Sequence, residues 1–378
     1  MQESSLAANR RRHASTRPLG NRGVKVSVLG QGGASLGDLY VKISNSDAFG
    51  SLSAAHEAGI SLFDTAPWYG LGLSEARFGL GLHSVPRNSF MLQTKVGRFL
   101  IPDRNAQNGT AFGWIGGYHM RVKYDYSALA FRRQLQDSLA RTGLGYVDSL
   151  VIHDCEPTVH IVENVSDGVA EANAHLEVLR ASGFGELLRM RREGTIRAFG
   201  AGMNSNEAGE DAAKKRSWNR HYMKELVKMG DDSQEDGGID FMLLANMWSL
   251  LNHEALEDGI LQVCEKNKIS VIVGGPYSSG ILATGADPAN GSVPYYNYEK
   301  ASDEVRARCR RIEAVCKSHG IPLIAAALQF PLLHPVVASV IPGGKNPFEV
   351  KSNVASMNVD IPDALWDELR AKKLIPTW

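Results

Sequence analysis

The stretch Phe63-Asp64-Thr65-Ala66-Pro67-Trp68-Tyr69-Gly70 puts a carboxylate at the end of an apolar run and a phenol five positions later, in a turn. Ser61-Leu62-Phe63 follows an amphipathic run that stops at Ala58-Gly59, so Asp64 closes a short strand and Tyr69 lies in the loop beyond it. Taken alone, such a pair is usually a turn cap and a packed loop ring. Two further runs change that reading: Phe90 to Gln93 leads into Thr94-Lys95-Val96, and Val147 to Ile152 leads into His153-Asp154. Asp, Tyr, Lys and His, each just past a successive apolar strand, are rarely aligned by chance. In a barrel of alternating strands and helices, that edge carries the chemistry.

Outward from this core the alternation continues. Val24 to Leu29 reads as the first strand and opens at Gly30, Gly32 and Gly33. Thr195 to Gly200, Phe241 to Leu244, Ser270 to Val273 and Val336 to Ile341 read as strands five to eight. Helical spacing recurs between them, for example at Phe49, Leu52, Ala55 and His56, with N-caps offered by Ser46 and Asp47, and at Phe131, Leu135 and Leu139. Eight strands with intervening helices predict an α/β fold, a (β/α)8 TIM barrel over residues 23–378, with long loops on its C-terminal face. Ile361-Pro362 followed by Leu365, Trp366 and Leu369 predicts an extra C-terminal helix. Residues 1–22, polar and Arg-rich, predict a disordered tail.

Regularity fails from Val96 to Asp125, where Phe99, Phe112, Trp114, Tyr118 and Tyr124 lie among glycines. Long loops in compact domains are functional or disordered, and the aromatic content argues for function. The segment is expected to wall a substrate pocket, with Trp114 either stacking on a substrate ring or pinning the loop to the rim. A second insertion runs from Cys155 to about Val169, and Ser205 to Trp218 and Asp231 to Asp236 read as solvated connections.

Composition excludes several classes. Lys plus Arg and Asp plus Glu both number 41, so no net field favours nucleic acid or an anionic membrane. No window approaches the ~20 apolar residues of a membrane span, and no secretory core opens the chain, which predicts a cytoplasmic protein. Cys155, Cys264, Cys309 and Cys316 form no Cys-x-x-Cys pair, and the 11 histidines form no metal motif, so no metal site is expected. Cys309 and Cys316 share a helical stripe with Val305 and Ile312 and read as core.

FDTAPWYG, QTKVGR and VIHD stand in the order and at the strand ends where the aldo-keto reductases keep their Asp, Tyr, Lys and His, and the chain resembles that family over roughly residues 24–373. GQGGASLGDLY, RAFGAGMNS, VGGPYSSGILATG and VIPGGKNPFEVKSN look most like the branch that oxidises free aldoses at C1, which includes pyridoxal 4-dehydrogenases. The resemblance implies catalytic roles for Asp64, Tyr69, Lys95 and His153, and a substrate pocket holding Trp68 and Trp114. It implies that Gly33 lies near the nicotinamide ribose, Asn204 at the carboxamide, Asn246 at a cofactor contact where many relatives have Gln or Arg, and Trp248 against the nicotinamide face. Pro276, Tyr277, Ser278 and Gly280 then hold the pyrophosphate, and Gly343, Lys345, Glu349 and Asn353 the adenosine. Glu349 beside a ribose repels a 2′-phosphate, which favours NAD, while Lys345 leaves NADP open.

The chemistry implied is hydride transfer with Tyr69 moving the hydroxyl proton. A phenol of pKa ~10 needs a stabilised anion to act near neutrality, and Lys95, oriented by Asp64, is expected to supply it. His153 would orient the reacting oxygen. The expected activity is NAD-dependent oxidation of an aldose to its lactone. The alternatives are a pyridoxal 4-dehydrogenase, a general carbonyl reductase, or a cofactor-binding regulatory subunit with no turnover.

Overall fold

The computed structural model describes residues 12–106, 113–156, 168–206, 212–233, 237–289 and 291–378. Eight parallel strands pair in chain order: β1 Gln31–Gly32, β2 Leu62–Asp64, β3 Met91–Val96, β4 Ser149–Ile152, β5 Ala198–Asn204, β6 Phe241–Ala245, β7 Ser270–Gly274 and β8 Val337–Ile341. Isolated parallel bridges from Leu29 to Val340 and from Gly32 to Gly343 close the ring between β8 and β1. Strands β2, β3, β4 and β8 are buried at every position. They read as unbroken apolar runs because a parallel sheet has the barrel core on one face and helices on the other.

Two apolar layers result. Leu62, Met91, Val151, Ala198, Phe241, Leu243, Ile272, Ala338 and Ile341 fill the barrel, and the larger cluster, including Phe63, Leu92, Leu150, Phe199 and Leu244, lies between the strands and the surrounding helices. Cys309 and Ile312 lie in this outer layer with Cys316, on the buried face of helix Asp303–Ser318, as the stripe predicts. The extra C-terminal helix is present as Asp363–Ala371.

The first strand is not where the sequence places it. Thr16–Pro18 and Lys25–Ser27 form an antiparallel hairpin, and its Leu19, Val24 and Val26 join the barrel-filling cluster. Residues 12–22 are therefore ordered, in contrast to the disordered tail expected, because Leu19 and His13 bury their side chains while Arg17 binds the carbonyls of Leu332 and Val337. Residues 1–11 lie outside the described residues.

Three further expectations change. The irregular Val96–Asp125 segment contains an antiparallel ribbon, Arg98–Pro102 with Met120–Tyr124. Residues 212–218 open the helix Ala212–Asp232, which buries Asn219, Tyr222, Met223 and Leu226. The cap of helix Asn45–Glu57 is Ser44, whose Oγ accepts from the Asp47 amide, while Asp47 sits in the first turn. Most of the second insertion, residues 157–167, lies outside the described residues.

His253, packed on Trp248 and near Arg308, is buried, and burial followed by the Arg308 charge pushes its pKa down to about 3. An unfolded histidine takes up a proton below its ordinary value near 6.5, whereas the folded one does not until about 3. The associated stability is complete above 6.5 and is lost as pH falls from there toward 3. Urea unfolding at pH 7.5 and 5.0 should show His253→Gln losing about 1–2 kcal/mol less than wild type over that interval. Equal losses would show that the ring is hydrated.

Candidate active site

Asp64 ends β2, Lys95 is in β3 and His153 follows β4, so three adjacent strands deliver them to one end of the barrel. Tyr69 reaches the same place from the turn after β2. That turn is held by backbone-to-backbone packing: a Cβ on Gly37 would lie 2.5 Å from the Tyr69 carbonyl carbon, and Gly70, at φ +62°, would clash with the Gly37 oxygen. Only glycines permit this approach.

Lys95 is buried, and all three of its ammonium protons have acceptors: Asp64 Oδ1 at 2.9 Å, Asp64 Oδ2 at 2.8 Å and the Thr65 carbonyl at 2.9 Å. Gln93 Nε2 adds a bond of 2.6 Å to Asp64 Oδ1. Lys95 Nζ lies 4.4 Å from the centre of the Tyr69 ring, and the Tyr69 and His153 rings meet edge to face at 6.1 Å. All four residues predicted as catalytic thus converge.

Their electrostatics differ from the expectation. Burial, then the Asp64 and Asp154 charges, raise the Tyr69 pKa well above its ordinary value; Arg98 opposes them. Lys95 does not depress it because its charge is matched by Asp64 at two short contacts. Burial lowers the Lys95 pKa, against the pull of Asp64. His153 is held neutral by burial and by the Arg98 and Lys95 charges. The resting site therefore presents a neutral phenol and a neutral imidazole.

A cavity of about 660 Å³ opens above them, lined by Trp68, Tyr69, Lys95, Trp114, His153 and Asn204 among others. Trp68 and Trp114 meet at 6.1 Å, nearly perpendicular, and Trp114 lies 5.8 Å from the Tyr69 ring. Trp114 is also pinned to the rim, by its bridge to Leu39, so both of its expected roles are compatible. Leu39 and Tyr40 are held in the wall by Arg77, which binds Asp38 Oδ1 at 2.6 Å and the carbonyls of Leu36 and Ile43.

The residues expected to bind cofactor divide. Asn204 lines the cavity, donating its amide to Asp154 Oδ1 and Glu156 Oε1. Asn246, at φ +57°, buries an Oδ1 that has no hydrogen-bond partner among the described residues. Tyr277 donates to Asn353 Oδ1 at 2.7 Å and Asn353 Nδ2 to the Gly343 carbonyl, tying the loop after β7 to the one after β8. Pro276 and Ser278 are buried in that first loop, and Ser278 Oγ pairs with Ser249 Oγ. Gly280 has open space at its Cα. Lys345 and Glu349 pair with each other at the start of helix Pro347–Met357. Gly33 is a packing position, where a Cβ would lie 2.5 Å from the Asp64 carbonyl.

Trp248 is misplaced by the sequence reading. Its ring is fully buried, donates Nε1–H to the Pro331 carbonyl at 3.2 Å, and packs on Phe330 at 4.9 Å, so it faces core and not the cavity.

The sequence reading also missed Asp154, Arg98, Glu156 and the hairpin Tyr295-Tyr296 with Glu299-Lys300, which lies against the cavity. The hairpin's two turn residues, Asn297 and Tyr298, lie at φ +45° and +69°; the sequence signal was weak, an Asn at the first turn position without the following glycine.

The "Aldo/keto reductase family" model matches residues 28–373. The chain belongs to the aldo/keto reductase family. It is 32% identical to a D-threo-aldose 1-dehydrogenase from a Pseudomonas species, over 94% of this chain and 96% of the relative. It is also 32% identical to a pyridoxal 4-dehydrogenase from Microbacterium luteolum, over 95% and 97%. A holo-form aldo-keto reductase from Bacillus halodurans shares the fold, with TM-score 0.64 and 23% identity over 96% of this chain and 97% of that one. This aldo/keto reductase is an NAD(P)-dependent oxidoreductase acting on CH–OH groups. Among its described residues no helix is long and apolar enough to cross a membrane.

Proposed function

We propose that the protein oxidises a free aldose at C1 to its lactone with NAD, and that it does so in the cytoplasm. The observation carrying this reading is the convergence of Tyr69, Lys95 and His153 beneath two perpendicular tryptophans, a wall suited to a sugar's apolar face. The similarity to a D-threo-aldose 1-dehydrogenase supports it. Equal identity to a pyridoxal 4-dehydrogenase makes pyridoxal, which also forms a cyclic hemiacetal, the second reading. Four buried cysteines without disulfides suit a reducing compartment.

The residues present fit a dinucleotide. Asn204 has both amide protons directed at carboxylates, which leaves its Oδ1 as an acceptor, and Asn246 Oδ1 is buried without a partner among the described residues. Two such acceptors match the amino group of a carboxamide. Gly275 keeps the approach open, since a Cβ there would lie 2.2 Å from Asn246 Oδ1. A nicotinamide held by these residues would supply the hydride acceptor. Tyr69 would take the proton from the anomeric hydroxyl only as its own phenol proton leaves to solvent in the cavity, since the resting phenol is neutral, and His153 would orient that oxygen. Lys95, fixed by Asp64, holds the Tyr69 ring from below.

The test is NADH absorbance with a panel of free sugars and pyridoxal, each with NAD and NADP. Reduction of NAD by an aldose is expected; turnover of pyridoxal alone would overturn the aldose reading in favour of the second. Cofactor choice is assigned to Glu349, whose Oε2 accepts from the Lys345 amide at 2.9 Å while its Oε1 lies 3.2 Å from Lys345 Nζ. The carboxylate thereby reduces the attraction of Lys345 for a 2′-phosphate. Glu349→Arg should shift the NAD-to-NADP ratio of kcat/KM toward NADP by about tenfold to a hundredfold. An unchanged ratio would transfer the choice to Lys345 or to the Gly343-Gly344 backbone.

A further inference from the structure

The cavity contains a second ion pair that the proton-transfer chemistry does not require. Arg98 follows Lys95 by three positions and Asp154 follows His153 directly, so the strands that deliver the reacting groups deliver this pair as well. Arg98 donates to Asp154 Oδ2 at 2.7 Å, and the two side chains are only 3% and 11% exposed. The guanidinium carbon sits 4.6 Å from the centre of the Trp68 ring, which fixes the pair against the aromatic wall. Asp154 Oδ2 is also 3.3 Å from His153 Nε2, and Asp154 Oδ1 accepts from Asn204 Nδ2 at 2.9 Å.

Stability does not account for this arrangement. Burying two charges is costly, and well-packed apolar residues in their place are often as stable or more so. Asp154 additionally adopts φ +47°, a left-handed conformation uncommon outside glycine that Asp tolerates better than most residues. Asp154 lines the cavity beside His153. A carboxylate has about four acceptor positions. Among the described residues Arg98 donates to Oδ2 and Asn204 to Oδ1, while His153 Nε2 lies beside Oδ2, so an acceptor position on Oδ1 remains for a donor in the cavity.

We propose that Asp154, held by Arg98, is a specificity-determining residue that accepts a hydrogen bond from a hydroxyl next to the reacting carbon. The site thereby selects polyhydroxylated substrates over deoxy sugars and plain aldehydes. This deepens the aldose reading and rests on it for the direction of turnover. A hydroxyl at that place satisfies the carboxylate, whereas a substrate lacking it leaves a buried acceptor desolvated and unpaired.

The experiment compares kcat/KM for an aldose with that for its 2-deoxy analogue, in the oxidative direction, for wild type, Asp154→Asn, Arg98→Lys and Arg98→Met. A parallel arm reduces D-glyceraldehyde and propanal with NADH, so that hydroxyl selection is read even where no sugar is oxidised. Failure of the sugar arm alone therefore counts against the aldose reading and not against Asp154. Wild type should prefer the hydroxylated partner by about tenfold to a hundredfold, the worth of one charge-assisted hydrogen bond. In Asp154→Asn that ratio should fall toward one, chiefly through loss of the hydroxylated substrate. Arg98→Lys should retain most of the ratio and Arg98→Met should lose it. NADH affinity, read by fluorescence, separates these effects from any displacement of Asn204. Equal losses for both partners, or an unchanged ratio, would overturn the proposal; should Asp154→Asn fail to fold, the ratio in Arg98→Met decides in the same way.

Discussion

Tyr69→Phe should lower kcat by about 10²–10⁴-fold while leaving the dissociation constant for NADH within about twofold of wild type. The substitution removes one oxygen and little else. The ring keeps its place 4.4 Å from Lys95 Nζ, its contact with Trp114 and its edge-to-face meeting with His153. Folding should therefore be unaffected, and a loss confined to kcat identifies a group that acts on the proton in transit. Stopped-flow measurement with saturating NAD and the preferred sugar checks it. Turnover near the wild-type rate would assign proton transfer to another residue.

Lys95→Met should have two separable consequences. It leaves Asp64, 1% exposed, with Gln93 as its remaining side-chain donor and no opposite charge, and breaking a buried pair in this way costs about 3–5 kcal/mol. Urea unfolding should show that loss. Turnover should fall as well, since the ammonium that holds the Tyr69 ring is gone. Adding Asp64→Asn relieves the uncompensated charge, so the double variant should regain much of the stability while remaining inactive. A double variant as unstable as Lys95→Met would place the cost in packing around the lysine stem.

Much of the site was legible because strand ends are marked twice, by an apolar run that stops and by a reactive residue at the stop. Burial on both faces makes those runs continuous, so β2 to β8 can be found within a few residues of their ends. Signals for residues that depend on a change of chain direction are weaker. Trp248 lies two positions beyond Asn246, and the positive φ at Asn246 turns the chain so that the ring points at Phe330 and away from the cavity. A stacking ring and a core ring leave the same mark in a linear pattern. The ribbon Arg98–Pro102 with Met120–Tyr124 was hidden for another reason: its two strands are separated by a long excursion, so no short turn advertises their pairing. The hairpin at the N-terminus misled differently, since Lys25–Ser27 does form a strand, but one that plugs the barrel floor.

That plug joins opposite ends of the chain. Arg12 binds Gln329, Val359 and Asp360, Arg17 binds Leu332 and Val337, and the ring closes where Leu29 meets Val340 and Gly32 meets Gly343. A ribosome adding about 5–20 residues per second needs on the order of tens of seconds between releasing the first of these partners and the last. Throughout that interval β1 has only β2 beside it, and Leu19, Val24 and Val26 have no completed floor to fill. The early segments of the nascent chain thus wait with apolar surface uncovered, the condition under which chaperones engage a growing polypeptide.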